Sequence, residues 1–185
     1  MHSIEPFFLW RDIYSSDRDP NALNYQAEYS EFHYTNKVYN YLLHPQWDSF
    51  GSETLFYKLL FVDYDNGFCI IELIGEWNDA INNDIMWLKK ELIDHLIDLG
   101  IENFALIAEN VLNFHADGDD YYQEWKDDID GNVYVINALD HVLEEMERYN
   151  LQYALSFGGN LNEINWRNRR PEDILDLLET KYLEI

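Results

Sequence analysis

The chain has 185 residues and sets 36 Asp plus Glu against 12 Lys plus Arg, a formal net charge of −24 at pH 7. Hydrophobic residues make up 47% of it, enough for a core, which excludes a disordered acidic chain. Such a charge repels phosphate backbones and anionic headgroups, so no nucleic acid and no membrane is expected as a partner, and a basic protein patch is the better match.

Residues 1–54 read as an aromatic-rich N-terminal extension packed on the core. Phe7, Phe8, Trp10, Tyr14, Trp47 and Phe50 are among its rings, more than a disordered arm carries. Tyr29, Phe32, Tyr34 and Tyr39 suit an extended piece, and residues 17–21 suit a turn. The first residues show no basic segment followed by an apolar stretch, and apolar runs elsewhere are only strand-length. The lone Cys69 sits mid-strand as a small hydrophobe. These features point to the cytoplasm.

Residues 55–185 read as one α/β domain with an extra C-terminal helix. Strand-like stretches at 55–64 and 68–74 flank Asn66-Gly67, which predicts a two-residue hairpin turn and antiparallel neighbours. A helix from Ile81 or Asn82 should bury Ile81, Ile85, Leu88, Leu92, Leu96 and Leu99. Lys89, Lys90, Glu91, Asp94, His95 and Asp98 fall on its solvent side, and Gly100 stops it. Residues 104–108 and Val133–Ile136 are expected as the central, buried strands. A loop and helix run from Tyr121 to Ile129. Asp140 should cap a helix whose Val142, Met146 and Tyr149 face inward. Residues 153–157 make a last strand before Gly158-Gly159, and Pro171 opens a final helix with Ile174, Leu175, Leu178 and Tyr182 on its apolar side. The fold class is therefore α/β: a mixed β-sheet with an N-terminal antiparallel hairpin followed by α-β-α-β-α-β-α.

The residues able to carry chemistry are scattered. His115, Asp117, Asp119 and Asp120 offer nitrogen and oxygen ligands, but Tyr121 fills the third position of a calcium loop and the required glycine is missing. Glu72, Glu76 and Asp79 could form an acid pair at one end of the sheet, although 36 acids make accidental pairs common. His44, His95, His115 and His141 stand singly, with no metal-ligand spacing between them. No nucleotide-binding glycine loop and no G-x-S-x-G motif occurs. The sequence thus assigns no catalytic residue, no metal and no cofactor. One basic stretch, Trp166-Arg167-Asn168-Arg169-Arg170, either neutralises the chain's own acids or, if exposed, holds an anion on Arg167, Arg169 and Arg170.

Two stretches carry a family resemblance. Ile70-Ile71-Glu72-Leu73-Ile74-Gly75-Glu76 resembles the strand ending in Gly-Glu, and residues 109–118 resemble the following strand and loop, of STAS domains, the anti-sigma-factor-antagonist family. The resemblance covers residues of about 55–157 and implies a STAS-like core in a non-enzymatic regulatory or protein-interaction module. In phospho-regulated members that loop carries a serine directly before a glycine. Here Asp117 precedes Gly118, so no hydroxyl accepts a phosphoryl group, and the carboxylate crudely resembles a permanently phosphorylated state. The expected partner surface is the segment at about 115–130. His115, Asp117, Asp119 and Asp120 would supply charge, and Tyr121, Tyr122 and Trp125 contact area. The alternative is a small-ligand binding protein or carboxylate-based enzyme with a pocket at the strand ends, near Glu76, Glu109 or His115, or beneath the aromatic N-terminal segment. The sequence leaves the partner's identity and the oligomeric state open.

Overall fold

The computed structural model describes residues 4–118 and 120–183. It is a mixed α/β fold. A small antiparallel hairpin joins β1 (Lys37–Val38) to β2 (Tyr41–Leu42). The main sheet has β3 (Leu55–Asp63), β4 (Phe68–Asn78), β5 (Asn103–His115) and β6 (Val133–Ile136) in that spatial order. β3 and β4 are antiparallel; β4, β5 and β6 run parallel. No helix among the described residues is long and apolar enough to cross a membrane.

The hairpin forms with a longer turn than Asn66-Gly67 predicts. Asp63 pairs with Phe68, which leaves residues 64–67 as the loop. The reason lies in Asp63, whose carboxylate accepts the N–H groups of Asp65 (3.1 Å) and Asn66 (3.0 Å) and the Asn66 amide (2.7 Å). That side chain builds the turn by itself. Gly67 keeps a positive φ of 59°, and a Cβ there would meet the Gly100 carbonyl at 2.8 Å. The close approach lets the Gly67 carbonyl accept from Glu102 and Asn103, both at 2.9 Å, which pins the hairpin to the start of β5.

The central strands are β4 and β5. Val133–Ile136 is buried but peripheral, its far side touched only by a single bridge from Tyr134 to Ser156. Residues 153–157 do not make a strand. Asn150, at φ 56°, turns the chain into a 3-10 segment, Leu151–Tyr153, and only Ser156 reaches the sheet. The opposite edge is closed in the same way, by Asp48 bridging Tyr57 of β3.

The predicted long helix is interrupted twice. α1 (Asp79–Asn82) ends at Asn83, which sits in the left-handed region with φ 53°, and α2 (Asp84–Leu88) restarts after it. Ile81 is consequently 82% exposed and not a core residue. A π turn, Lys89–Ile93, then precedes α3 (Asp94–Asp98). Its extra residue shifts the helical phase, so Lys89 turns inward and Leu92 and Ile93 are both buried. Leu99 is half-buried, and His95 is held by the Asn21 carbonyl at 2.7 Å, not merely solvated.

α4 (Tyr121–Asp127), α5 (Asp140–Arg148) and α6 (Ile174–Leu183) follow. Leu139, not Asp140, occupies the cap of α5, and no side chain caps it; Asp140 sits in the first turn, where its charge suits the helix dipole. Tyr149 lies past the helix end and is 41% exposed, against the inward face expected for it. Pro171 opens a 3-10 turn, Pro171–Asp173, ahead of α6, whose Ile174 and Leu178 are buried while Tyr182 stays 42% exposed.

Strand alternation sends side chains to both faces. On one face Leu55, Tyr57, Leu59, Ile71, Leu73, Phe104 and Leu106 meet Ile85, Leu88, Leu92, Leu96, Trp125, Val142 and Met146. On the other, Leu60, Phe61, Ile70, Ala105, Ile107 and Tyr134 meet Trp10, Leu161, Ile164, Trp166, Ile174 and Leu178. A bulge between Leu59 and Phe61 puts two consecutive residues, Leu60 and Phe61, on that second face. Val38, Leu43 and Trp47 cover Phe56 and Ile74. Chain-end segments, helix α6 among them, thus line one face, and the helices between β4 and residue 149 line the other.

Leu92 is 1% exposed within the helix-side core. Leu92→Ala should destabilise by about 2–5 kcal/mol, the range for emptying a filled core site, read as a lower denaturation midpoint. A midpoint equal to the parent's would place Leu92 outside the core.

Candidate functional site

β4 and β5 run parallel, so their carboxyl ends lie side by side, with Asn78 opposite His115. This brings His115 Nε2 to 3.7 Å from Glu76 Oε1. Glu76 also accepts the Tyr39 hydroxyl and, at 2.8 Å, the Asn78 amide. Beyond His115 the chain turns outward. Asp117 is exposed, and its carboxylate accepts the Gly118 N–H at 2.8 Å. Asp120 is exposed ahead of α4. Asp119 lies outside the described residues.

The rings assigned to a partner surface divide. Tyr122 and Trp125 are 0% and 1% exposed, because their three-residue spacing points both at the sheet. Tyr122 donates to Asp79 Oδ2 at 2.6 Å, and Trp125 packs edge-on against Phe104. Their area therefore belongs to the core. Tyr121 is half-buried, with the Lys90 ammonium 5.7 Å from its ring centre. What α4 leaves outside is acidic: Asp127, Asp128 and, just beyond, Asp130 are exposed.

Beneath that surface lies Lys89, which the helical pattern places in solvent and the π turn buries completely. Its ammonium contacts Asp94, Asp128 (2.7 Å) and Glu124 (3.6 Å), while Lys90 reaches Asp94 (3.3 Å) and Glu124. Asp94, Glu124 and Asp128 hold oxygens close enough together to suit a metal ion, and the Lys89 ammonium fills that position. Burial works against its charge, but Asp128 and Asp94 outweigh burial and hold the ammonium above its ordinary range. The cluster ties the π turn to α4.

The three acids at the end of β4 do not form a catalytic pair. Asp79 lies on the helix side, where Trp77 Nε1 (2.9 Å), the Ile85 N–H (2.8 Å) and Tyr122 all donate to it. Burial outweighs these donors and pushes its carboxyl up to about 7. Asp84, 0% exposed, accepts the Asn78 N–H at 2.7 Å through Oδ2, while its Oδ1 has no hydrogen-bond partner among the described residues. Glu72 faces the opposite way, under the N-terminal segment, where it accepts the Phe7 N–H at 2.8 Å; burial raises it to about 7.

Glu109 is also remote from Glu76 chemistry. It binds Arg167 at 2.6 Å and accepts from Asn137 and Trp166, both at 2.9 Å. Burial would raise its carboxyl, but Arg167 and the two neutral donors hold it below the usual range. Arg170 pairs with Glu172 at 2.9 Å, and Arg169 presents its carbonyl to Trp10 Nε1. The three arginines are therefore not gathered on one anion site.

A cleft on the N-terminal side carries residues that sequence reasoning passed over. It encloses about 340 Å³ between Arg11, Ser15, Asp17, Arg18, Ala27, Tyr29, Gln46 and Lys58. Lys58 Nζ binds Asp48 at 3.0 Å and lies 3.8 Å from the Tyr29 ring centre, and Tyr29 donates to the same carboxylate at 2.7 Å. The available signal was Lys58 itself, the one charge within the apolar run 55–62.

No family model matches this chain, and no curated protein matches it either.

Lys89→Met should leave Asp94, Glu124 and Asp128 repelling one another. A loss of about 3 kcal/mol in denaturant unfolding is expected, the lower part of the range for a broken buried pair, since the carboxylates can rehydrate. The Asp79 prediction follows from linkage. Its carboxyl is raised from 3.8 to about 7 in the folded state, so the folded protein binds this proton more tightly than the unfolded chain. The resulting stability is present at low pH and is lost as pH rises between these two values. Asp79→Asn should flatten that part of the stability–pH curve, as measured by unfolding at pH values spanning the window. An unchanged slope would assign it to other groups.

Proposed function

We propose that the protein is a non-enzymatic binding module that presents the acidic outer side of the segment at about 115–130 to a cationic protein partner. The observation that carries this is an inversion of roles. Tyr122, Trp125 and Lys89 fasten α4 from beneath, while Asp127 on the helix and Asp117, Asp120 and Asp130 beside it remain exposed. A surface fixed before binding loses little freedom on association, and its charge steers an oppositely charged partner. The order of hairpin, helix and parallel strand is compatible with a STAS-like core, which supports a regulatory role for the loop. In that setting Asp117 supplies a constant negative charge ahead of Gly118.

The test begins with affinity purification from native cells and identification of the co-purifying protein, followed by titration of the pure pair. Asp117→Asn with Asp120→Asn should weaken binding roughly tenfold at low salt and less at high salt, with the melting temperature of the free protein nearly unchanged. Equal affinities for parent and double mutant at both salt concentrations would move the function away from this loop.

A further inference from the structure

The cleft beside the N-terminal segment gathers positive charge on a strongly acidic molecule. Arg11, Arg18 and Lys58 line it, three of only 12 basic residues in a chain of net charge −24. Lys58 is matched by Asp48. Neither Arg11 nor Arg18 forms an ion pair with a carboxylate among the described residues, although acids outnumber bases threefold. Each is held instead by a neutral acceptor: Arg11 donates to Gln46 Oε1 at 3.3 Å, and Arg18 donates to the Arg11 carbonyl. Both arginines thereby line the cleft without an ion pair among the described residues.

The remaining lining narrows what would fit. Asp17 turns its carboxylate to the Ser15 hydroxyl and has no cation of its own among the described residues. It would repel a second anionic group but accept from hydroxyls. Gln46 and Ser15 add further polar groups, and the Lys58 ammonium lies over the Tyr29 ring. A small adjoining cavity of about 20 Å³ between Trp10, Tyr14 and Lys58 ends at Ser16. The Ser16 hydroxyl in that lining is 1% exposed.

We propose that this cleft binds a small hydroxylated phosphate ester, its phosphoryl oxygens between Arg11 and Arg18 and its hydroxyls on Asp17, Ser15 and Gln46. A guanidinium fork matches phosphoryl oxygens in geometry, and two such forks match the charge of a dianionic ester at neutral pH. The single carboxylate opposite selects for one anionic group and a polyol body. A volume of about 340 Å³ stands at the small end of ligand pockets, which suits a monosaccharide or triose phosphate better than a nucleotide. The cleft shares no lining residue with the acidic surface at 115–130.

The test is calorimetric titration of the full chain with glucose 6-phosphate, ribose 5-phosphate and glycerol 3-phosphate, with inorganic phosphate and glucose as comparison ligands. At least one ester should bind about tenfold or more tighter than either comparison ligand, and its affinity should fall as salt rises. Arg11→Gln and Arg18→Gln should each weaken that ester by about tenfold, the loss of one charge-assisted contact. Because both side chains are exposed, the melting temperature of the free variants should match the parent's. The proposal is overturned by no saturable heat from any ester at millimolar concentration. It is equally overturned if inorganic phosphate equals the best ester, or if both arginine variants retain full affinity.

Discussion

The four-stranded sheet is apolar on both faces, and this constraint organises everything around it. β4 alternates Cys69, Ile71 and Leu73 toward the helices with Phe68, Ile70 and Ile74 away from them. The helices between β4 and residue 149 cover the first face. The second is covered by residues from the two ends of the chain, with Trp10 and Trp166 meeting edge to face at 5.5 Å and Phe7 wedged against both. The aromatic start of the chain is thus a layer of the fold and not an appendage to it. Where that layer lifts off β3, it leaves the cleft of Arg11 and Arg18.

Buried charge is the second organising feature. Lys58 and Glu72 are cross-strand neighbours in the β3–β4 register, yet neither binds the other. Lys58 turns to Asp48, and Glu72 turns to the Phe7 N–H. Each therefore ties the covering layer down at a defined point, where apolar contact alone would allow sliding. Lys89 does the same between the π turn and α4, and Asp79 between α1 and Tyr122. Burying these groups costs stability unless they are matched, and the partners observed supply the match for most of them. Asp84 Oδ1 is the exception, an oxygen unpartnered among the described residues, for which the surrounding packing gives no physical reason.

Periodicity made the sheet and its helices legible, because apolar alternation and three-four spacing report burial directly. Ile85, Leu88, Leu92 and Leu96 are buried as their spacing requires. The reading failed wherever a polar side chain overrode the pattern. Asn83 broke the first helix, the π turn reversed the orientation of Lys89, and Asp63 built a turn that Asn66-Gly67 alone would have made shorter. On the candidate site, the acidic character of residues 117–130 was visible as composition. That Tyr122 and Trp125 face inward was implied by their spacing with Ile129, but their aromatic chemistry invited a surface role. A pocket beneath the N-terminal segment stood among the alternatives, but the lining of this cleft was not legible, since Arg11, Arg18, Gln46 and Lys58 meet through tertiary folding.

The single bridges at Asp48 and Ser156 have a consequence for association. A sheet ends in rows of unpaired backbone groups, which invite strand addition by another chain. Here Asp48 exchanges both backbone hydrogen bonds with Tyr57 on one border, at 2.8 and 3.0 Å, and Ser156 takes those of Val133 and Val135 on the other, each at 2.8 Å. The bulge at Leu60 distorts the rest of the β3 border, and β6 is only four residues long. Both borders are therefore poor templates for β-augmentation or fibril-like stacking. A second chain would therefore meet side chains, on loops and in clefts, where charge and shape discriminate more sharply than a repeating backbone can.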